Sequence, residues 1–135
     1  MGGSIVDLSS KRENGSEPVK DRAGERRTLE STLQGLVSGL LDIYGDRIVS
    51  IILYGSVARG TQSEESDVDI AVILKNGATR AMYDQMLDLV VDLELSCGKV
   101  LSVIRIDYDK FREWENVMPY YKNIKRDGVV LWKAA

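Results

Sequence analysis

The chain has no histidine among its 135 residues. That removes serine–histidine and cysteine–histidine nucleophilic machinery, histidine zinc sites and metal-free histidine acid–base catalysis. A single cysteine, Cys97, excludes an internal disulfide and fits a reducing, cytoplasmic setting. Apolar runs such as Ile51–Tyr54 are strand-sized, well short of the roughly 18 residues that a membrane span needs. The start of the chain lacks the basic-then-apolar pattern of a secretory signal, and Val6 stands where a myristoylation motif needs Ser or Thr. No membrane association is expected. A formal charge of −3 argues against a broad nucleic-acid surface, although a local basic groove is compatible with it.

What is present describes one globular domain behind a polar leader. Residues 1–23 are rich in charged and small polar side chains, a composition that cannot bury enough apolar surface to offset its ordering entropy. They are expected to form a flexible tail, with residues 24–135 as the folded domain. Leu29, Leu33, Leu36, Val37, Leu40, Leu41 and Tyr44 recur at helical spacing, and Gly45 is a natural stop. Arg47–Tyr54 and Val68–Leu74 are apolar on both parities, as in strands covered on both faces. Met82, Tyr83, Met86, Leu87, Val90 and Leu93 mark a second amphipathic helix, and Val100–Ile106 a third strand. Short helical stretches follow near 109–115 and 120–126. Residues 128–132 close as a short strand or extended tail. The pattern predicts an α/β (α+β) fold, a mixed β-sheet with helices packed on it. The link between the first two strands is too short for a parallel crossover, so they are expected to pair antiparallel.

The chemistry concentrates between residues 53 and 70. Gly55 directly follows a buried strand, where a glycine lets the chain turn sharply and lets an anion approach backbone amides. Ser56 adds a hydroxyl, Val57-Ala58 can open a short helix, and Arg59 brings a positive charge. Asp67 and Asp69, two apart on a strand, project from one face. Neighbouring carboxylates repel unless a cation lies between them, and oxygen donors favour Mg²⁺ or Mn²⁺.

In this order, an apolar strand, Gly-Ser, a spacer of about ten residues and Asp-x-Asp within a second strand, the segment resembles the signature of the DNA polymerase beta-like nucleotidyltransferases. Gly55-Ser56-Val57-Ala58-Arg59-Gly60 with Ser66-Asp67-Val68-Asp69 is similar to their minimal nucleotidyltransferase branch. The resemblance implies a nucleotidyltransferase core moving an NMP from Mg-NTP, ATP by default, to an acceptor hydroxyl with release of pyrophosphate. It assigns Gly55, Ser56 and Arg59 to the nucleotide, and Asp67 and Asp69 to catalysis and metal. Arg59 fits equally a structural ion pair with Glu64, Glu65 or Asp67. Active members carry a third carboxylate on the strand after the second helix, and here Ser102 occupies that place. Asp107, if a bulge turned it, or Asp92 or Glu94, would be the substitutes. The alternative implied is a weakened nucleotide-binding or antitoxin-type module acting on a protein partner such as a HEPN toxin; a homodimer is a further possibility. The basic and aromatic stretch 118–126 reads as a helix packing its Tyr and Ile with its lysines in water.

Overall fold

The computed structural model describes residues 3–5, 28–60 and 67–135, with side chains described from residue 28 onward. The elements run β1 (Gly3–Ile5), α1 (Leu29–Tyr44), β2 (Ile48–Tyr54), α2 (Gly55–Arg59), β3 (Val68–Leu74), α3 (Arg80–Cys97), β4 (Leu101–Asp107), α4 (Tyr108–Trp114), α5 (Pro119–Asp127) and β5 (Val129–Ala134). The strands form one mixed sheet in the order β1-β5-β2-β3-β4. Of residues 1–23, β1 alone is described, paired antiparallel with β5.

Local chemistry sets the boundaries. Thr28 caps α1 by accepting a hydrogen bond from the Ser31 amide at 3.0 Å, and Gly45 ends the helix at φ +57°. Thr79 caps α3 in the same way, and Gly98 ends it in the left-handed region. Pro119 opens α5, where its missing N–H costs nothing. As expected, β2 and β3 pair antiparallel, while β3 and β4 run parallel with α3 as the crossover.

Each face of the sheet carries its own core. On one face Ile51, Leu53, Val68, Ile70, Val72 and Leu101 pack against Leu33, Leu36, Val37 and Leu40 of α1 and Met86, Val90 and Leu93 of α3. Helices α1 and α3 meet so closely that a Cβ at Gly39 would stand 2.6 Å from a Leu89 methyl. The Tyr44 hydroxyl, deep between them, donates to the Met86 sulfur at 3.8 Å. Cys97 is buried at the end of α3 as part of this core. On the other face a smaller cluster of Ile52, Ala71, Ile73 and Ile106 is covered by Phe111 of α4 and Ile124 of α5.

The stretch 118–126 follows its pattern except at Tyr120, which stays 47% exposed. Ile124 is buried, Tyr121 stacks at a tilt on Phe111, and Lys122 and Lys125 face solvent. The closing strand is longer than expected and lies inside the sheet, between β1 and β2.

Candidate active site

The site begins where β2 ends. Tyr54 is extended, and Gly55 then turns at φ +76° into the five-residue α2. A side chain would be strained at that φ, and here it would also have no room. A Cβ on Gly55 would overlap the Asp69 Oδ2 atom and stand 3.1 Å from Asp69 Cγ. The turn and the carboxylate therefore touch, and glycine is the residue that permits it.

Strand register explains the meeting. Tyr54 pairs with Asp69 across the antiparallel ladder, and Asp69 pairs with Ser102 across the parallel one. Tyr54, Asp69 and Ser102 thus form a row over three strands, on the face that α4 and α5 only partly cover. Asp67 precedes the first residue of β3 and is exposed beside this row.

The electrostatics agree with the placement. Burial holds the Asp69 carboxyl above its ordinary range, the charge of Asp67 pushes it the same way, and Arg59 opposes them. Asp69 therefore lies within the fields of both Asp67 and Arg59. Arg59 is exposed on α2 and also helps to lower the Asp127 carboxyl at the end of α5, where the hydrogen bond from Arg126 is the larger cause. Residues 61–66, including Glu64 and Glu65 as candidate ion-pair partners of Arg59, lie outside the described residues. Ser56 is half-buried in α2, immediately after the turn.

Ser102 stands where the resemblance puts a third acid, and the candidate substitutes do not reach it. The β3–β4 ladder is unbroken from Val68–Leu101 to Leu74–Asp107, so no bulge turns Asp107, which lies at the opposite end of β4. Its carboxylate instead caps α4, accepting from the Lys110 amide at 3.0 Å. Glu94 accepts from the Leu101 amide at 2.9 Å and so ties α3 to β4, while Asp92 is exposed on α3, across the sheet from the row.

A pair of tyrosines beside the row escaped the sequence reading. Tyr54 and Tyr120 share a hydrogen bond of 2.8 Å between their hydroxyls, with rings edge to face at 6.1 Å. Burial raises the Tyr54 phenol well above its ordinary value, with additions from the bond to Tyr120 and the charge of Asp69. Tyr54 had a legible place, next to Gly55 on the parity of the site. Tyr120 came close only through the packing of α5, which no local pattern announces.

Divalent-ion chemistry fits what is present. Asp67 and Asp69 offer hard oxygen donors, the charge of Asp67 disfavours that of Asp69, and the Gly55 turn leaves open backbone against Asp69. No group of three or more acidic, cysteine or histidine side chains comes together among the described residues.

Residues 40–133 match the family described as polymerase beta, nucleotidyltransferase. The chain belongs to that family. As a nucleotidyltransferase it is 33% identical over 103 residues to MJ0604 of Methanocaldococcus jannaschii, provisionally named a protein adenylyltransferase; the match covers 76% of this chain and 97% of that protein. A second protein of the same organism and the same provisional name, MJ1305, is 31% identical, over 75% of this chain and 88% of its own length. Among solved structures, a toxin–antitoxin complex with AMP-PNP contains a chain 24% identical, matched over 75% of this chain and 73% of that one with a TM-score of 0.49. Nucleotidyltransferases of this family move nucleoside monophosphates with the help of divalent metal, and the nucleotidyltransferase described here is read as an enzyme of that class. Among the described residues no helix is long and apolar enough to cross a membrane.

Proposed function

We propose that this nucleotidyltransferase transfers AMP from Mg-ATP to a hydroxyl group of a protein and releases pyrophosphate. The observation that carries the reading is the contact of the Gly55 turn with Asp69, in a row that ends at Ser102. The names of the two methanogen relatives support ATP as donor and a protein as acceptor.

In this reading Asp67 and Asp69 hold Mg²⁺, or Mn²⁺ in its place. The ion would neutralise phosphate charge and favour departure of pyrophosphate. Gly55 and Ser56 hold the outer phosphates through backbone amides and a hydroxyl, and Arg59 adds a positive charge from solvent. The protein's contribution is mainly positioning and charge compensation, since Ser102 offers no carboxylate to take the acceptor's proton. That proton leaves to water, at a cost of roughly 10²–10⁴-fold against a positioned base.

Ser102 also supports a second reading, a nucleotide-binding module that restrains a protein partner with little transfer. One experiment separates them. Mg²⁺-dependent ATP binding is measured by calorimetry for the parent and for Asp67→Asn/Asp69→Asn, followed by transfer of α-labelled ATP into added protein. Metal-dependent binding lost in the variant, with label incorporated, is the expected result. Binding without incorporation into any protein supplied favours the second reading, and no binding of any NTP overturns both.

A further inference from the structure

The outer face of α3 carries an apolar ridge that the fold leaves uncovered. Leu87, Val91 and Leu95 are spaced at one helical turn and are 41%, 51% and 79% exposed. Val100, between the end of the helix and β4, is 55% exposed. A single exposed leucine is ordinary, whereas an aligned run of three branched aliphatics with rising exposure along one helix is not.

A second ridge runs alongside. Asp84, Asp88 and Asp92 are also one turn apart and all exposed. Arg80 pairs with Asp84 at 3.1 Å, and among the described residues no ion pair engages Asp88 or Asp92. The face is therefore apolar along one line and negative along the next. An anionic lipid surface or a nucleic acid would be repelled by it. A second copy laid antiparallel against it would bring acidic row to acidic row.

We infer that the outer face of α3 docks a basic amphipathic helix of a partner protein, whose aliphatic side chains lie along Leu87, Val91 and Leu95 and whose Lys or Arg side chains meet Asp88 and Asp92. The direction of the ridge adds a consequence. Helix α3 runs antiparallel to β3 and β4, so the ridge's most exposed residue, Leu95, lies at the end of the sheet where the aspartates sit. The Val100 carbonyl there accepts the amide of Val68 at 2.9 Å, directly after Asp67. A helix docked on the ridge ends beside the β4 side of the catalytic row without covering it, because α3 packs on the opposite face.

The inference is independent of nucleotide transfer and is tested by binding alone. The probe is a synthetic helical peptide with leucines at one-turn spacing and lysines on one flank, together with a control that has glutamates in place of lysines. Amide NMR shifts locate binding on the folded chain, and fluorescence anisotropy measures its strength. The lysine peptide is expected to shift residues 84–95 and to lose about tenfold or more in affinity against Leu95→Asp, the loss typical of a central apolar anchor. It should lose several-fold, with a weaker salt dependence, against Asp88→Asn/Asp92→Asn. Leu95 is largely exposed, so these variants fold as the parent does, which circular dichroism verifies. Equal binding of both peptides, shifts elsewhere, no detectable binding, or a concentration-dependent dimer dispersed by Leu95→Asp would each overturn it.

Discussion

The two faces of the sheet differ in how completely they are covered. One lies under α1 and α3, helices of 16 and 18 residues whose aliphatic side chains reach the whole width of the central strands. The other lies under α4 and α5, of 7 and 9 residues, which cover Ile52, Ala71 and Ile73 but leave the row Tyr54–Asp69–Ser102 reachable. The same strands β2 and β3 contribute to both faces through alternate residues. A strand with a period of two can serve stability on one side and chemistry on the other, and a substitution one residue along changes which of them suffers.

The strongest way to break this comparison is on the open face. Asp67→Asn/Asp69→Asn should lower label transfer from ATP by about 10³-fold or more, the scale of removing the charge that compensates phosphate, while the fold survives. The complementary change on the closed face is Leu36→Ala, in the middle of α1 and fully buried. It should cost about 2–5 kcal/mol in denaturant unfolding and leave the ATP affinity of the folded fraction unchanged. If Leu36→Ala altered nucleotide affinity directly, the division between faces would fail.

Two glycines with the same φ sharpen the comparison further. Gly55 and Gly60 both sit at φ +76°, but a Cβ at Gly60 meets nothing within 4 Å, whereas one at Gly55 runs into Asp69. Gly60→Ala should cost about 1 kcal/mol of backbone strain and little else. Gly55→Ala should carry that cost and also displace Asp69, weakening metal-dependent ATP binding by about tenfold or more, on the scale of a misplaced ligand. Calorimetry with both variants at one Mg²⁺ concentration distinguishes strain from displacement.

Ser102→Asp tests the row in the direction of gain. A carboxylate beside Asp69 should tighten Mn²⁺ binding and, if proton removal limits the rate, raise transfer by about 10-fold or more, the lower side of what a positioned base provides. An unchanged rate with tighter metal would locate the slow step elsewhere. The smallest effect expected is on stability. Because burial and Asp67 raise the Asp69 carboxyl, the folded state holds that proton more firmly than the unfolded chain does. Its contribution is therefore favourable below the unfolded value of about 4 and is lost as pH rises through the folded value. In metal-free buffer Asp69→Asn should melt slightly higher than the parent at pH 7, and the gap should close in acid.

Much of this was legible in the sequence because it is local. The helix over Leu29–Tyr44, its stop at Gly45, the strand Val68–Leu74 and the antiparallel pairing of the first two strands follow from periodicity, glycine placement and link length. The meeting of Gly55 with Asp69 could be anticipated because the two flank a short connection. What depended on distant packing could not. Tyr120 reaches Tyr54 because α5 folds back over β2, and Asp107 is drawn into capping α4 by a helix whose first residue follows it. The last strand read as an extended end because Gly128–Trp132 shows its apolar character but not its neighbours.

That strand has a consequence for how the molecule comes into being. β5 pairs with β2 through Ser50–Lys133 and Ile51–Trp132, contacts that join residues more than eighty positions apart. β2 and β3 can meet over a short loop, but the other edge of β2 waits for β5. During synthesis at a ribosome, the nascent protein therefore exposes the unpaired backbone of an apolar strand until β5 emerges. Non-local pairing of this kind slows folding and leaves an open edge to which a neighbouring nascent chain can add. A chaperone that shields β2 during that interval should raise the yield of folded protein more than one acting after β5 has paired.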